Sequence, residues 1–93
     1  MFDWDETNRK HLADHGVTPS EAEEVIASDP IDLELQLRDD EERVLQIGAT
    51  NALRILLVVT TWHGKRIRVI TAFPAPPQLR AFYATHKGLS DEG

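Results

Sequence analysis

The pattern of apolar and polar positions changes from a helical to a strand period after residue 30. Ala22, Val25 and Ile26 recur at i, i+3 and i+4, which predicts a helix with one apolar face. From Ile31 to Leu37 every second residue is apolar, which predicts a strand with one buried face. The pattern therefore predicts an N-terminal helical part that is followed by a strand-rich part.

End signals define the two N-terminal helices. The first is predicted from Glu6 to His15, because Asp5 is a good N-cap and Gly16 readily adopts the left-handed conformation that ends a helix. The second begins at Pro19 with Thr18 as its N-cap, since threonine caps well and proline suits the first helical position. Glu21, three residues after the threonine, completes a capping box.

Four strands and a last helix follow. The third strand is rich in Ile, Leu and Val on both faces, as expected of a central strand. Prolines at 74, 76 and 77 end the pairing and start the last helix, which Gly88 ends, and residues 89–93 are predicted to fray. The predicted strands are Ile31–Arg38, Val44–Ala49, Arg54–Thr61 and Arg66–Ala72, with turns at 39–42, 50–52 and 63–64, and the last helix has its stripe at Leu79, Phe82, Tyr83 and His86.

This order of elements predicts an α+β fold in a single domain that spans residues 1–93. Two N-terminal helices and one C-terminal helix are expected to cover one face of a mostly antiparallel sheet. The sheet has four strands, or five if Phe2-Asp3-Trp4 forms a short first strand instead of a docked arm.

The composition is that of a folded domain without disulfides. Hydrophobic residues make up 41% and charged residues 28% of the 93 positions, and there is no cysteine. The acidic first turn is unlike a secretory signal, and the longest apolar run, Ile55–Val59, is far shorter than the about 20 residues of a membrane span. We therefore expect a cytoplasmic protein that does not enter the membrane.

The net charge of -6 is divided unevenly along the chain. Residues 1–42 hold 14 of the 16 acidic groups, whereas residues 43–87 hold seven of the ten basic groups and no acidic one. RNA binding needs only local positive charge, so the acidic total does not exclude it. Mutual neutralisation of the two halves explains the division as well.

Five sequence blocks occur in a fixed order and extend over most of residues 2–84. They are Trp4-Asp5 with Asn8-Arg9, His15-Gly16-Val17-Thr18, Ile47-Gly48, Arg54-Ile55-Leu56-Leu57-Val58-Val59, and Ile67-Arg68-Val69-Ile70-Thr71-Ala72. Each block alone is weakly specific, but together they resemble the BrnT-like family of small toxins from bacterial type II toxin–antitoxin pairs. The resemblance implies a RelE-like fold, mRNA cleavage that needs no metal, and neutralisation by a DNA-binding antitoxin encoded alongside. Two positions depart from the family pattern, since Phe73 and Asp14 stand where basic residues are common.

Metal-free RNA cleavage has requirements that these residues meet in part. The 2′-hydroxyl attacks its own phosphate, which needs a base, an acid and cations near the phosphorane. Arg66 and Arg68 share a strand face by the two-residue period, although the same pair also suits a solvated face or a protected sheet edge. Arg54 begins the central strand, where an ordinary surface charge is an equal explanation. Lys65 and Arg80 are the further candidates for RNA contacts.

Histidines are the candidate groups for proton transfer, because imidazole titrates close to neutral pH. His15 precedes a helix stop, where a structural role at the helix C-terminus is favoured over catalysis. His63 lies in a predicted turn beside Trp62 and near Lys65, a group that suits a base and a phosphate, although an ordinary turn explains it as well. Tyr83 falls on the apolar stripe of the last helix, which favours core packing.

A metal site is disfavoured by the spacing of the histidines. His11 and His15 lie at i and i+4, but a zinc-protease helix needs Glu directly after the first His, and Leu12 stands there. Two ligands without cysteine do not close a zinc site. We therefore predict no metal and no other cofactor.

These residues fit three functional hypotheses. The first is a BrnT-like ribonuclease toxin, and the second is a catalytically degenerate relative that binds a partner protein through its acidic half. The third is a self-associating domain in which the strand Ile31–Leu37 pairs with a copy of itself to give a homodimer. A neighbouring gene with a ribbon-helix-helix or helix-turn-helix pattern would support the toxin pair.

Overall fold

The computed structural model describes residues 2–88, so the predicted fraying of residues 89–93 lies outside it. These residues form three helices and four strands in the predicted order, which confirms the α+β class. None of the helices is long and apolar enough to span a bilayer. The helices are α1 (Glu6–Asp14), α2 (Pro19–Ala27) and α3 (Pro77–His86), and the strands are β1 (Ile31–Arg38), β2 (Glu41–Ala49), β3 (Ile55–His63) and β4 (Arg66–Pro74).

The ends of α1 and α2 form as their cap residues predict. The Asp5 carboxylate accepts a hydrogen bond from the N–H of Asn8 at 2.9 Å, and Gly16 has a φ of 72° after the helix. Thr18 and Glu21 form the complete capping box, with bonds of 3.0 and 3.1 Å. Both helices therefore begin where local hydrogen bonding is satisfied.

The sheet is an antiparallel meander in the order β1-β2-β3-β4. Phe2 makes one isolated parallel bridge to Ile67 on the outer edge of β4, so residues 2–4 form a docked arm. The five-strand alternative is therefore wrong for the part of the chain that the structure describes.

Three of the strands extend beyond their predicted bounds. The first turn contains only Asp39 and Asp40, both at positive φ (50° and 64°), as a two-residue hairpin turn requires, so β2 begins at Glu41 and not at Val44. At the hairpin between β3 and β4, β3 continues through His63. This residue therefore lies in a strand, whereas it was predicted to lie in a turn. β4 also runs to residue 74.

The prediction that all helices cover one face of the sheet is wrong. Leu56 and Val58 of β3 pack with α1 and α2, whereas Leu57 between them packs with Tyr83 of α3 on the opposite face. Because successive side chains of a strand alternate between faces, the apolar residues on both sides of β3 need a cover on each side. We call the two sides the α1/α2 face and the α3 face.

β1 contains a bulge that changes the face its side chains occupy. The register shifts between Asp32 and Glu34, and one extra residue reverses the faces of the residues that follow. Leu33 packs against the core on the α3 face, whereas Leu35 and Leu37 are 66% and 71% exposed. The predicted single buried face is therefore wrong for the second half of this strand.

Candidate active site

The predicted site residues lie at two opposite ends of the sheet. The hairpin end carries the turns after β1 and β3, and the α3 end is where β3 begins and β4 ends. β3 has nine residues, so at about 3.3 Å per residue the two ends are roughly 25 Å apart. One compact active site therefore cannot include both groups. The hairpin end carries Trp62, His63, Lys65, Arg66 and Arg68, and the α3 end carries His15, Arg54 and Arg80.

A hydrogen-bonded network of Asp, His and Arg side chains occupies the hairpin end. Asp3 reaches it because its backbone N–H donates to the carbonyl of Ile67 at 2.9 Å, which docks the N-terminal arm along β4. The Asp3 carboxylate is hydrogen-bonded to Nδ1 of His63 and accepts a bond from Nη2 of Arg68 at 3.3 Å. The same Nη2 lies 3.7 Å from the carboxylate of Asp5, the N-cap of α1. The arm thereby holds side chains from two strands.

These contacts lower the pKa of Asp3 below its ordinary value of 3.8. The hydrogen bond from His63 is the largest cause, burial opposes it, and the charge of Arg68 adds a smaller effect that also lowers the pKa. Asp3 is therefore ionised throughout the neutral range. A carboxylate bound to Nδ1 fixes the orientation of the imidazole and leaves Nε2 as the nitrogen that meets another group.

His63 and the two neighbouring arginines lie on an open part of the α3 face. His63 pairs with Arg66 and Thr61 pairs with Arg68, and cross-strand partners share a face. By the alternation along β3, these residues lie on the same face as the β3 residues that pack against α3. The helix itself covers only the other end of this face. Arg66 is exposed and makes no ion pair within residues 2–88, so it is available to an anionic ligand.

Trp62 lies on the opposite side of the sheet from His63, because adjacent residues of a strand alternate. It pairs with Ile67 and lines a cavity of about 230 Å³ on the α1/α2 face. The structure therefore separates Trp62 from the imidazole with which the sequence grouped it.

Arg54 at the α3 end is bound within the fold. Its Nη1 donates to the carbonyl of Gly16 at 2.9 Å and to both carboxylate oxygens of Glu21 at 3.0 Å. The pKa of Glu21 is lowered, first by its hydrogen bond from the Thr18 N–H and then by Arg54. Arg54 thus connects the turn before α2 to the start of β3.

The other two candidates at this end also make structural contacts. His15 is the C-cap residue of α1, and its ring lies 5.7 Å from the ring of Phe73. Arg80 donates to the carbonyl of Ala75 at 2.9 Å, which closes the turn between β4 and α3. No group of three or more His, Asp or Glu side chains in residues 2–88 is placed to hold a metal ion.

Sequence reasoning missed two residues of the hairpin end. Asp3 lies 60 positions from His63, and no periodicity or motif connects positions so far apart. The only sequence signal for Asp3 was its position between the aromatic residues Phe2 and Trp4, at the start of the first family block. Arg43, two residues before Leu45 on β2, lies on the α3 face and forms an ion pair of 3.0 Å with Glu41.

Comparison with known proteins identifies the family. No curated protein matches the chain significantly. The model of the BrnT family, described as the ribonuclease toxin BrnT of a type II toxin–antitoxin system, matches residues 4–78. The match includes α1, α2 and all four strands, and most of α3 lies beyond it. This confirms the resemblance of the sequence blocks, and the chain belongs to the BrnT family of ribonuclease toxins of type II toxin–antitoxin systems.

Proposed function

We propose that this chain cleaves RNA without a metal ion and that His63 accepts the proton of the attacking hydroxyl. The observation that carries this proposal is the hydrogen bond between the Asp3 carboxylate and Nδ1 of His63, on an open sheet face that also presents Arg66. Membership of the family indicates that the activity is that of a ribonuclease. The geometry supports the hairpin end as the catalytic centre.

In the proposed reaction Nε2 of His63 takes the proton from the 2′-hydroxyl, and the 2′-oxygen attacks the phosphorus. The bond to the 5′-oxygen breaks, which leaves a 2′,3′-cyclic phosphate and a 5′-hydroxyl that takes its proton from water. Arg66 and Lys65 stabilise the charge that develops on the phosphorane. Asp3 orients the imidazole, and Arg68 is a positioning residue that holds Asp3.

The residues of the α3 end are outside this centre. The bonds of Arg54 and Arg80 to neighbouring backbone carbonyls and the C-cap position of His15 support structural roles for all three. Trp62 is also outside the centre because it lies on the other face. A RelE-like fold, a cytoplasmic location and a DNA-binding antitoxin stay predictions that accompany this proposal.

The proposal is tested by incubating purified protein with RNA in the presence of a metal chelator. The expected products are fragments that end in 2′,3′-cyclic phosphate. His63→Gln should lower the cleavage rate by about 100-fold or more, which is the usual contribution of a general base. His86→Gln, which changes an exposed histidine on α3, is the matched control and should cleave normally.

A third variant distinguishes the two ends of the sheet. If His15→Gln abolishes cleavage while His63→Gln does not, the active site lies at the α3 end and the proposed centre is wrong. If the unmodified protein leaves RNA intact under all conditions, the ribonuclease proposal fails, and the hypothesis of a catalytically degenerate relative that binds a partner protein takes its place.

A further inference from the structure

We infer that the open part of the α1/α2 face binds a segment of the antitoxin that carries apolar side chains flanked by Lys or Arg. The inference rests on membership of a toxin family, which implies an antitoxin partner, and not on the proposed cleavage centre. The surface, which we call the distal apolar face, consists of Leu35, Leu37, Val44, Thr60, Trp62 and Ile67.

The strand register makes this surface continuous across the sheet. Leu35 pairs with Val44, Val44 pairs with Thr60, and Trp62 pairs with Ile67. Since cross-strand partners share a face, side chains from all four strands lie side by side. The surface is on the reverse side of the sheet from the proposed RNA centre.

Three apolar side chains of this surface are largely open to solvent. Leu35, Leu37 and Trp62 are 66%, 71% and 65% exposed, whereas Leu56 and Val58 on the same face are fully buried under α1 and α2. The bulge in β1 is what turns the two leucines to this side. Large apolar side chains grouped on one face of a small domain are typical of a surface that a partner covers.

The charges around the surface favour a basic partner. A cavity of about 230 Å³ is lined by Ile26 and Trp62 together with the acidic residues Asp32 and Glu42. Among the described residues that line this cavity there is no Lys or Arg. An apolar side chain fits the cavity, and a cation beside it pairs with these carboxylates.

The same charges disfavour the other occupants. A second copy of this chain would bring identical carboxylates together, and the net charge of -6 adds to the repulsion. RNA would meet carboxylates in place of cations. An antitoxin segment with Lys or Arg next to apolar residues is the occupant that satisfies both the shape and the charge.

The test measures the affinity of this protein for the antitoxin encoded beside it, with both proteins purified separately and titrated by calorimetry. The double variant Leu35→Thr with Leu37→Thr should weaken binding by about tenfold or more. Threonine keeps the preference for strands, so the fold is retained. The matched control is Leu53→Asn, since Leu53 is 72% exposed at the α3 end and asparagine tolerates its φ of 65°. This control should bind normally.

A charge reversal tests the second part of the inference. Glu42→Lys should weaken antitoxin binding and reduce its dependence on salt, because a carboxylate–cation contact is lost. RNA cleavage and the melting temperature of each variant should stay close to those of the unmodified protein. Short overlapping peptides of the antitoxin should locate one binding segment that is apolar and basic.

Several outcomes would overturn the inference. Unchanged antitoxin affinity in both the leucine and the glutamate variants would exclude this surface. A dimer of the free protein that becomes a monomer in the leucine variant would identify a second copy as the occupant. Loss of RNA binding with normal antitoxin affinity would identify RNA instead. Because the affinity is measured without RNA, a protein that fails to cleave RNA still tests this inference.

Discussion

Arg54 joins the turn before α2 to the start of β3, and its removal should destabilise the fold. Its guanidinium donates to both oxygens of Glu21 at 3.0 Å and to the Gly16 carbonyl at 2.9 Å. The two charged side chains are 38% and 25% exposed, so solvent screening limits their coupling to about 1 kcal/mol. The bond to Gly16 adds about 1 kcal/mol. Arg54→Ala should therefore lower the free energy of unfolding by about 2 kcal/mol and the melting temperature by roughly 10 °C.

A double-mutant cycle separates the ion pair from the other contacts. Glu21→Gln is the suitable partner change, because it removes the charge but keeps the oxygen that accepts the capping-box bond from Thr18. Urea denaturation of the two single variants and the double variant should give a coupling of about 1 kcal/mol. The control pair is Lys10 and Asp14, whose charged atoms are 3.9 Å apart and whose side chains are 76% and 60% exposed. Its coupling should lie below about 0.5 kcal/mol.

The pH dependence gives a second check on the same pair. The fold lowers the pKa of Glu21, so the stability it contributes is fully present above the ordinary value of 4.5 and is lost as the pH falls through the lowered pKa. The coupling should therefore decline as the pH falls below 4.5. A coupling below about 0.3 kcal/mol at neutral pH would refute the reasoning. So would an Arg54→Ala variant with a normal melting temperature and no RNA cleavage, because Arg54 would then be catalytic.

Two further predictions concern the packing of α2 and the arm at the hairpin end. Gly48→Ala should destabilise the fold by about 1–3 kcal/mol in urea denaturation, because the new Cβ would lie 2.8 Å from Cγ1 of Val25 and 3.2 Å from Cβ of Pro30. An unchanged midpoint would show that α2 moves away freely. Asp3→Asn should lower kcat for RNA more than it changes KM, because His63 loses its orienting charge while RNA contacts stay. Its melting temperature should approach that of the unmodified protein as the pH falls below 3.8, because the lowered pKa of Asp3 stabilises the fold only above that range. A difference that grows in acid would contradict the assigned direction.

The order of the helices and strands and the starts of the two N-terminal helices could be predicted from the amino-acid sequence. The start of α1 at Asp5 and the capping box of Thr18 and Glu21 depend on hydrogen bonds between residues only a few positions apart. Such contacts join residues that are close in sequence, so the local residue types predict them. The central place of β3 was also predictable, because apolar residues on both of its faces need cover on both sides.

The face of the sheet that each strand residue occupies depends on how the strands pair, and this could not be predicted from the sequence. The bulge in β1 moves Leu35 and Leu37 to the face opposite Leu33, although alternation along the sequence predicts one shared face. A strand side chain has only two possible directions, so one extra residue reverses every position after it. The pattern of apolar residues does not show where that extra residue is accommodated.

The candidate site was predictable as a set of residue types but not as an arrangement. The sequence grouped Trp62 with His63 because they are neighbours, and a strand sends neighbours to opposite faces. Asp3 meets His63 only because the N-terminal arm docks on β4, 60 positions away along the chain. Contacts between such distant residues depend on how the whole sheet folds, so they cannot be predicted from the local sequence.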